Sequence, residues 1–234
     1  MSKSSSSSSS TSSTNLQQNL TNRGLRLVNK KHPHQNVSED QQALIGSGSF
    51  GSVYCAKERD GRLRAVKVIN AAQWMQTASA RQIQAEIKSW VALDDDHPNI
   101  VKYHAEWGWP GQGNTLYISM QFCSGGDLHA QIKTNPSAEK VTRWLLQLAR
   151  GVSHIHDKHI VHRDLYTKNV FIDDQGNVRI GDFGLARSTE SGQSTSEAQT
   201  MQKGRGYVPF WSPERMKNLT KHKASSPDDM WSVG

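Results

Sequence analysis

The stretch that decides the fold is residues 159–187, HIVHRDLYTKNVFIDDQGNVRIGDFGLAR. Asp164 follows a His-Arg pair, Asn169 lies five residues later, and Asp182 opens an Asp-Phe-Gly triplet. Carboxylate and amide oxygens are the ligands that Mg²⁺ prefers, and a carboxylate can also accept or orient a hydroxyl proton. The spacing therefore predicts a phosphoryl-transfer site in which Asp182 and Asn169 hold metal and Asp164 acts on an acceptor hydroxyl.

The same residues resemble two motifs of the eukaryotic protein kinase superfamily, the HRDxxxxN loop and the DFG triplet, in the family's order and spacing. A βαβ-like edge with a turn-forming aspartate is the alternative, but it does not explain why both motifs occur together. The resemblance extends over about residues 42–234. It implies an α+β, two-lobed protein kinase fold, with a five-stranded N-lobe at 39–123 and a mainly helical, incomplete C-lobe at 124–234.

The composition indicates a globular body with a tail. The 234 residues are 35% hydrophobic and carry a formal net charge of +7, which suits one large core or two small lobes. Residues 1–38 hold five basic side chains and no acidic one. Because this segment is Ser-rich and poor in apolar residues, we expect a disordered tail that acts as a solvated linker, with a specific RNA, membrane or acidic-partner role as the alternative. The body is then nearly balanced in charge and gives no indication of a nucleic-acid groove.

The cysteines and the hydropathy pattern indicate the compartment. Cys55 and Cys123 are too few and too far apart for a disulfide framework. No apolar run approaches the roughly 18 residues of a membrane span, and the N-terminus has no apolar signal segment. We therefore expect an intracellular protein, in the cytoplasm or the nucleus, without a membrane partner; the sequence leaves its oligomeric state open.

Residues 42–70 predict a β-hairpin followed by a third strand. Gly46, Gly48 and Gly51 would let the backbone approach a polyphosphate, and Val53 could cover a purine. In dinucleotide folds such glycines open a helix, whereas here a strand follows them at once. A glycine-rich hairpin without a ligand is the other interpretation.

Lys67 lies in the strand RAVKVI, where an ammonium among apolar neighbours needs a carboxylate partner. Residues 71–93 are rich in helix formers, and Glu86 is the only acidic residue among them. By the kinase resemblance, Glu86 pairs with Lys67 and the pair orients the α- and β-phosphates of a nucleotide. A glutamate on a solvated helix face is the alternative.

The resemblance also implies the cofactors, ATP and Mg²⁺, and their contacts. Met120 takes the gatekeeper position, Gln121 and Cys123 belong to the hinge that faces adenine, and Asp127 caps the next helix and faces the ribose, or only caps. The implied catalytic residues are Asp164, Lys67, Glu86, Lys168 and Asn169, with Asn169 and Asp182 as metal ligands. The implied nucleotide contacts are Ile45, Gly46, Ser47, Gly48, Ser49, Phe50, Gly51, Val53, Ala65, Lys67, Met120, Gln121, Cys123, Asp127, Phe171 and Asp182.

Residues 137–158 predict a helix that supports the catalytic loop. Val141, Leu145, Leu148 and Val152 recur at helical spacing and are expected to form a buried stripe. Four histidines follow at 154, 156, 159 and 162, but these spacings do not keep to one helix face, which argues against a metal site.

The sequence departs from the family pattern at several positions. Tyr166 stands where Ser/Thr kinases place a lysine, Lys168 stands where many tyrosine kinases place an arginine, and Tyr207 replaces the substrate-loop threonine. We interpret the two tyrosines as one linked change, and we expect Lys168 to supply the missing cation. Trp90 replaces a smaller residue that usually packs on the Phe of the DFG triplet.

Three functions follow from these residues. The leading interpretation is an ATP-dependent kinase acting on Ser or Thr of a protein substrate, most similar to NIMA-related kinases, with HPNIVKYHAEW also similar to Wee-type kinases and kinases of translation initiation factor two. A pseudokinase that binds nucleotide or acts as a scaffold without transfer is the second, and a tyrosine-specific kinase is the third.

Overall fold

The structure, a computed structural model, describes residues 16–32, 34–35, 37, 40–48, 51–70, 87, 90–93, 96–108, 115–183, 186–188, 207–217 and 225–234. The chain forms two compact units. The first consists of Met1–Ala72 and His104–Phe122, and the second of Gln73–Tyr103 and Cys123–Gly234.

The first unit is built on a six-stranded sheet. Its strands are β1 Leu25–Leu27, β2 Leu44–Gly48, β3 Gly51–Glu58, β4 Leu63–Asn70, β5 Tyr103–Trp107 and β6 Thr115–Gln121, and a short helix, α1 Asp40–Ala43, precedes β2. The strand order is β1-β3-β4-β6-β5, and β2 also pairs with β3. The five predicted strands are present, and β1 is an additional one.

The additional strand corrects the predicted disordered tail. Residues 16–22 are helical, and β1 pairs antiparallel with β3, Leu25 opposite Glu58 and Leu27 opposite Ala56. Leu20, Leu25 and Leu27 are buried in one cluster with residues of the sheet. The low average hydropathy of residues 1–38 comes from the serine run. This average does not reveal the apolar side chains of residues 16–27, which are spaced by four on the helix and by two on the strand. Residues 1–15 lie outside the described residues.

The packing of this segment gives a stability prediction. Leu20 is fully buried, so Leu20→Ala should lower the free energy of unfolding by about 2–5 kcal/mol, the cost of a cavity left by leucine. Gln18→Ala, at an exposed position of the same helix, should change it by less than about 0.5 kcal/mol. Urea denaturation of the whole chain measures both values. Equal midpoints for the two variants would show that the segment does not pack as described.

The second unit contains short strands and helices. In chain order they are β7 Gly126–Asp127, α2 Leu128–Ile132, α3 Ala138–Asp157, β8 Ile160–Val161, β9 Val170–Ile172, β10 Val178–Ile180, β11 Arg187–Ser188, a 3₁₀ turn Val208–Phe210, α4 Pro213–Lys217 and α5 Ser226–Val233. The strands form two small sheets, β10-β9-β7 and β11-β8. No helix in the described ranges is both long and apolar enough to span a bilayer.

Ser137 caps the N-terminus of helix α3: its side chain accepts a hydrogen bond from the Lys140 amide, the usual N-cap arrangement. The predicted buried stripe on this helix is half right. Leu148 and Val152 are buried, but Val141 and Leu145 are 36% and 53% exposed. The buried residues are Trp144, Leu148, Gly151, Val152 and Ile155. Helical spacing alone did not distinguish this face from its neighbour, which also carries apolar residues.

The prediction places residues 96–102 in the N-lobe, but they belong to the second unit. The Val101 amide donates to the Ile180 carbonyl at 2.8 Å, and the Ile180 amide donates to the Asn99 carbonyl at 2.8 Å. These bonds extend the edge of β10 and explain why the strand predicted at 97–107 is observed only at Tyr103–Trp107. Of the helix predicted at 71–93, residues 71–86, 88 and 89 lie outside the described residues.

Candidate active site

The Asp164 carboxylate is held at both oxygens. The Asn169 Nδ2 group donates to Asp164 Oδ2 and to the Asp164 carbonyl, each at 2.9 Å. The main-chain N–H of Tyr207 donates to the other oxygen, Oδ1, at 3.1 Å. The carboxylate therefore has a fixed orientation, as a group that positions a reacting hydroxyl requires.

The surroundings of Asp164 also make it more basic. Burial raises the pKa of this carboxyl, and the negative charge of Asp182 acts in the same direction. His162, the Tyr207 amide and the Asn169 amide each lower the pKa, but burial dominates and the net pKa lies above its ordinary value. A carboxylate with a raised pKa is a better proton acceptor.

The backbone of the catalytic loop is anchored by Asp229 of α5. The amides of His162 and Arg163 donate to its two carboxylate oxygens, each at 2.8 Å. Asp229 is 1% exposed, and Nε2 of His156 lies 3.0 Å from it. These bonds hold Arg163 at a positive φ of 70°, which is strained for a residue with a side chain. The sequence pattern does not identify Asp229, because its only signal there is a pair of acidic residues in the first turn of α5.

His162 links the catalytic loop to the DFG segment. Its Nδ1 accepts from the Asp164 amide at 3.3 Å, so its Nε2 carries the proton and donates to the Gly181 carbonyl at 3.0 Å. The Phe183 ring lies 4.9 Å from the His162 ring and 5.7 Å from Trp90. Trp90 therefore packs on Phe183, the Phe of the DFG triplet, although it is larger than the residue that the family places there.

Asp182 comes directly after Gly181, where the surrounding packing leaves no room for a side chain. A Cβ at Gly181 would lie 2.9 Å from Val101 Cγ2 and 3.0 Å from the Phe171 ring. The Gly181 amide donates to the Asn169 carbonyl at 2.9 Å, and Asp182 has a positive φ of 58°. The structure thus brings Asp182 beside Asn169, and the two predicted metal ligands lie close to Asp164.

The two unusual tyrosines lie in contact next to Asp164. The rings of Tyr166 and Tyr207 stack with centroids 5.0 Å apart, and Phe210 packs against both. Burial raises the pKa of Tyr166, and the charges of Asp164 and Asp182 raise it further, so this phenol stays protonated near pH 7. The interpretation of the tyrosines as one linked change is supported by this contact. The Lys168 side chain is exposed, and its role stays a prediction.

In the first unit, Lys67 lies in the central strand β4. It is 9% exposed and stands opposite Val53 of β3 and Ile118 of β6. Glu86 lies outside the described residues, so its pairing with Lys67 stays a prediction.

The glycine-rich hairpin forms between β2 and β3, with Gly46 opposite Val53 and Gly48 opposite Gly51. Gly51 has a φ of 124°, and a Cβ there would lie 2.1 Å from the Val68 carbonyl oxygen. No other residue fits this position, so Gly51 is required by the fold itself. The neighbouring positions Ser49 and Phe50 lie outside the described residues.

The remaining predicted nucleotide contacts divide between the units. In the first, Ala65 stands opposite Met120, and Gln121 ends β6. In the second, burial raises the pKa of the Cys123 thiol to about 12, so this hinge cysteine stays protonated.

Asp127 accepts from the Ala130 amide at 2.7 Å, which confirms its predicted capping role, while its contact with a ribose stays a prediction. Phe171 of β9 stands opposite Asp127 of β7.

The antiparallel sheet with its glycine hairpin and buried lysine, together with the Asp164, Asn169 and Asp182 cluster, defines a protein kinase domain. The protein kinase domain family matches residues 40–234, and the chain belongs to this family. The predicted superfamily and fold are confirmed. Residues 16–32, which add β1 to the sheet, precede the match.

Several protein kinases are similar to this chain. Serine/threonine-protein kinase Nek4 of Mus musculus is 34% identical over 197 residues, which is 82% of this chain and 23% of that protein. Serine/threonine-protein kinase Nek3 of Mus musculus is 34% identical over 198 residues, 82% and 35% of the two chains. Mitogen-activated protein kinase kinase kinase ANP1 of Arabidopsis thaliana is 34% identical over 206 residues, which is 85% of this chain and 29% of that protein. The chain spans 23 to 35% of the length of these three relatives.

Proposed function

We propose that this chain is an ATP-dependent protein kinase that transfers the γ-phosphate to Ser and Thr hydroxyls of a protein substrate. The observation that carries this proposal is the Asp164 carboxylate, fixed at both oxygens beside Asn169 and Asp182. The relatives named above are two serine/threonine-protein kinases and a mitogen-activated protein kinase kinase kinase, which supports protein as the acceptor class.

The side chains beside Asp164 suit a Mg²⁺–nucleotide complex. ATP supplies the phosphoryl group and Mg²⁺ neutralises its charge. Because the Asn169 Nδ2 group is bonded to Asp164, the amide oxygen of Asn169 is the atom of that side chain that can face a metal. Together with the Asp182 carboxylate it gives the oxygen ligands that Mg²⁺ prefers.

Asp164 would orient the acceptor hydroxyl and accept its proton. Its fixed carboxylate reduces the entropy lost in aligning the hydroxyl for in-line attack, and its raised pKa favours proton transfer. Lys67, held by Glu86, would orient the α- and β-phosphates, and the glycine-rich hairpin would cover them. The residues from Met120 to Cys123 would present backbone groups to adenine.

Lys168 would supply a cation to the γ-phosphate, because Tyr166 occupies the position of the usual lysine. Lys168→Ala should lower the rate of transfer by about 10²-fold, the effect of losing one preorganised charge-stabilising donor, while Lys168→Arg should keep most of the rate. Lys133→Ala, at an exposed position of the same unit, is the control. An unchanged rate for Lys168→Ala in steady-state assays would refute this role.

Transfer of radiolabel from ATP to a generic protein, followed by phosphoamino-acid analysis, tests the proposed function. We expect phosphoserine and phosphothreonine in a Mg²⁺-dependent reaction. Phosphotyrosine alone would identify a tyrosine-specific kinase instead. No label with any acceptor would identify a protein that does not transfer phosphate.

A further inference from the structure

The segment that carries Tyr207 is docked on the catalytic loop at several points. The Tyr207 amide donates a hydrogen bond to Asp164 Oδ1. Farther along the segment, Arg215 donates from a guanidinium N–H to the Arg163 carbonyl at 3.1 Å. The Arg215 guanidinium also stacks on Trp211 at 4.2 Å. The Ser232 hydroxyl donates to the Phe210 carbonyl at 2.8 Å. The segment after Phe210 is thus held by polar contacts, whereas next to Tyr207 the described packing is aromatic.

The aromatic packing comes from Tyr166, two residues after the catalytic carboxylate. The ring planes of Tyr166 and Tyr207 are 27° apart with centroids at 5.0 Å, a stacked arrangement. The Phe210 centroid lies 6.3 Å from Tyr166 and 5.7 Å from Tyr207. These separations fall in the range in which aromatic pairs attract each other beyond their buried area.

We propose that Tyr166 is a positioning residue: by stacking on Tyr207 it fixes the main-chain N–H that holds Oδ1 of Asp164. This inference rests on the proposed function, because it concerns the orientation of the carboxylate that acts on the acceptor. Tyr207 has two parts in this arrangement: its main-chain N–H binds Asp164, and its ring stacks on Tyr166. A substitution at Tyr207 leaves its N–H in the chain, so an effect of that substitution on Asp164 must come from movement of the segment.

The ring, and not the hydroxyl, carries this role. Tyr166→Phe and Tyr207→Phe keep the stack and should transfer phosphate within about threefold of the parent chain. Tyr166→Ala and Tyr207→Ala should each lower kcat by about 10-fold to 10²-fold, the scale of misplacing a reacting group. Neither change should alter the KM for ATP by more than about twofold, because the carboxylate addresses the acceptor hydroxyl.

The two rings act as one unit, so their effects should not add. The double variant Tyr166→Ala, Tyr207→Ala should be no slower than the slower single variant, because the stack is already lost in each. Met216→Ala, at a 50% exposed position on the same segment, serves as the control and should leave kcat unchanged. Thermal unfolding of every variant separates a local effect from loss of the fold.

Amide hydrogen exchange tests the same contact without requiring transfer. In Tyr166→Ala, the Tyr207 amide should exchange at least about tenfold faster than in the parent chain and in Tyr166→Phe, because its bonded state becomes less populated. If Tyr166→Ala keeps the parent protection, or loses it while kcat stays unchanged, the inference is wrong. If the parent chain transfers no phosphate, the proposed function fails, and the exchange result alone decides whether Tyr166 holds the Tyr207 amide.

Discussion

Asp182→Asn is expected to abolish phosphoryl transfer, with a loss in kcat/KM well beyond about 10³-fold. The substitution keeps the size of the side chain but removes the negative charge that would hold Mg²⁺ beside Asn169. The residue lies at a positive φ, a conformation that asparagine tolerates as well as aspartate, so the backbone should keep its shape. Steady-state kinetics and Mg²⁺-dependent nucleotide binding measure the two effects.

Two matched variants sharpen this experiment. Asp174→Asn removes a charge at an exposed position of the same unit and should leave transfer unchanged. Asp164→Asn should abolish transfer but keep nucleotide affinity within a few-fold, because Asp164 addresses the acceptor and not the nucleotide. If Asp182→Asn retained turnover, or if Asp164→Asn weakened ATP binding as far as it reduced activity, the assigned roles would be wrong.

Lys67→Met should also remove transfer, by more than about 10²-fold, because the nucleotide phosphates would no longer be positioned. The side chain is 9% exposed in the central strand of its sheet. A thioether of similar length fills the same space, so the variant should still unfold in one cooperative thermal transition.

This combination distinguishes a chemical role from a structural one. A large loss of activity in a variant that still unfolds cooperatively assigns Lys67 to the nucleotide. Lys31→Met, at an exposed position of the same unit, controls for the loss of one positive charge. Retained turnover in Lys67→Met would contradict the assignment, and loss of the cooperative transition would show that the lysine supports the fold.

The sequence by itself determined the family, the fold class and the principal chemical groups. Asp164, Asn169 and Asp182 are recognisable because their spacing along one short stretch sets the chemistry. These are local properties. They depend on the identity of each residue and its distance along the chain, and a sequence states both directly.

The tertiary structure decided the features that depend on contacts distant in sequence. Asp229 anchors the catalytic loop from 67 residues away, and the Tyr207 amide reaches Asp164 across 43 residues. Leu20 and Leu25 are buried because their segment pairs with a sheet edge and packs in an apolar cluster. Leu145 stays exposed although it lies on a helix with apolar residues at regular helical spacing. Hydropathy and spacing say that a side chain can be buried. The surface against which a side chain packs is decided only when the whole chain has folded. The free energy of burial depends on that surface as much as on the buried residue.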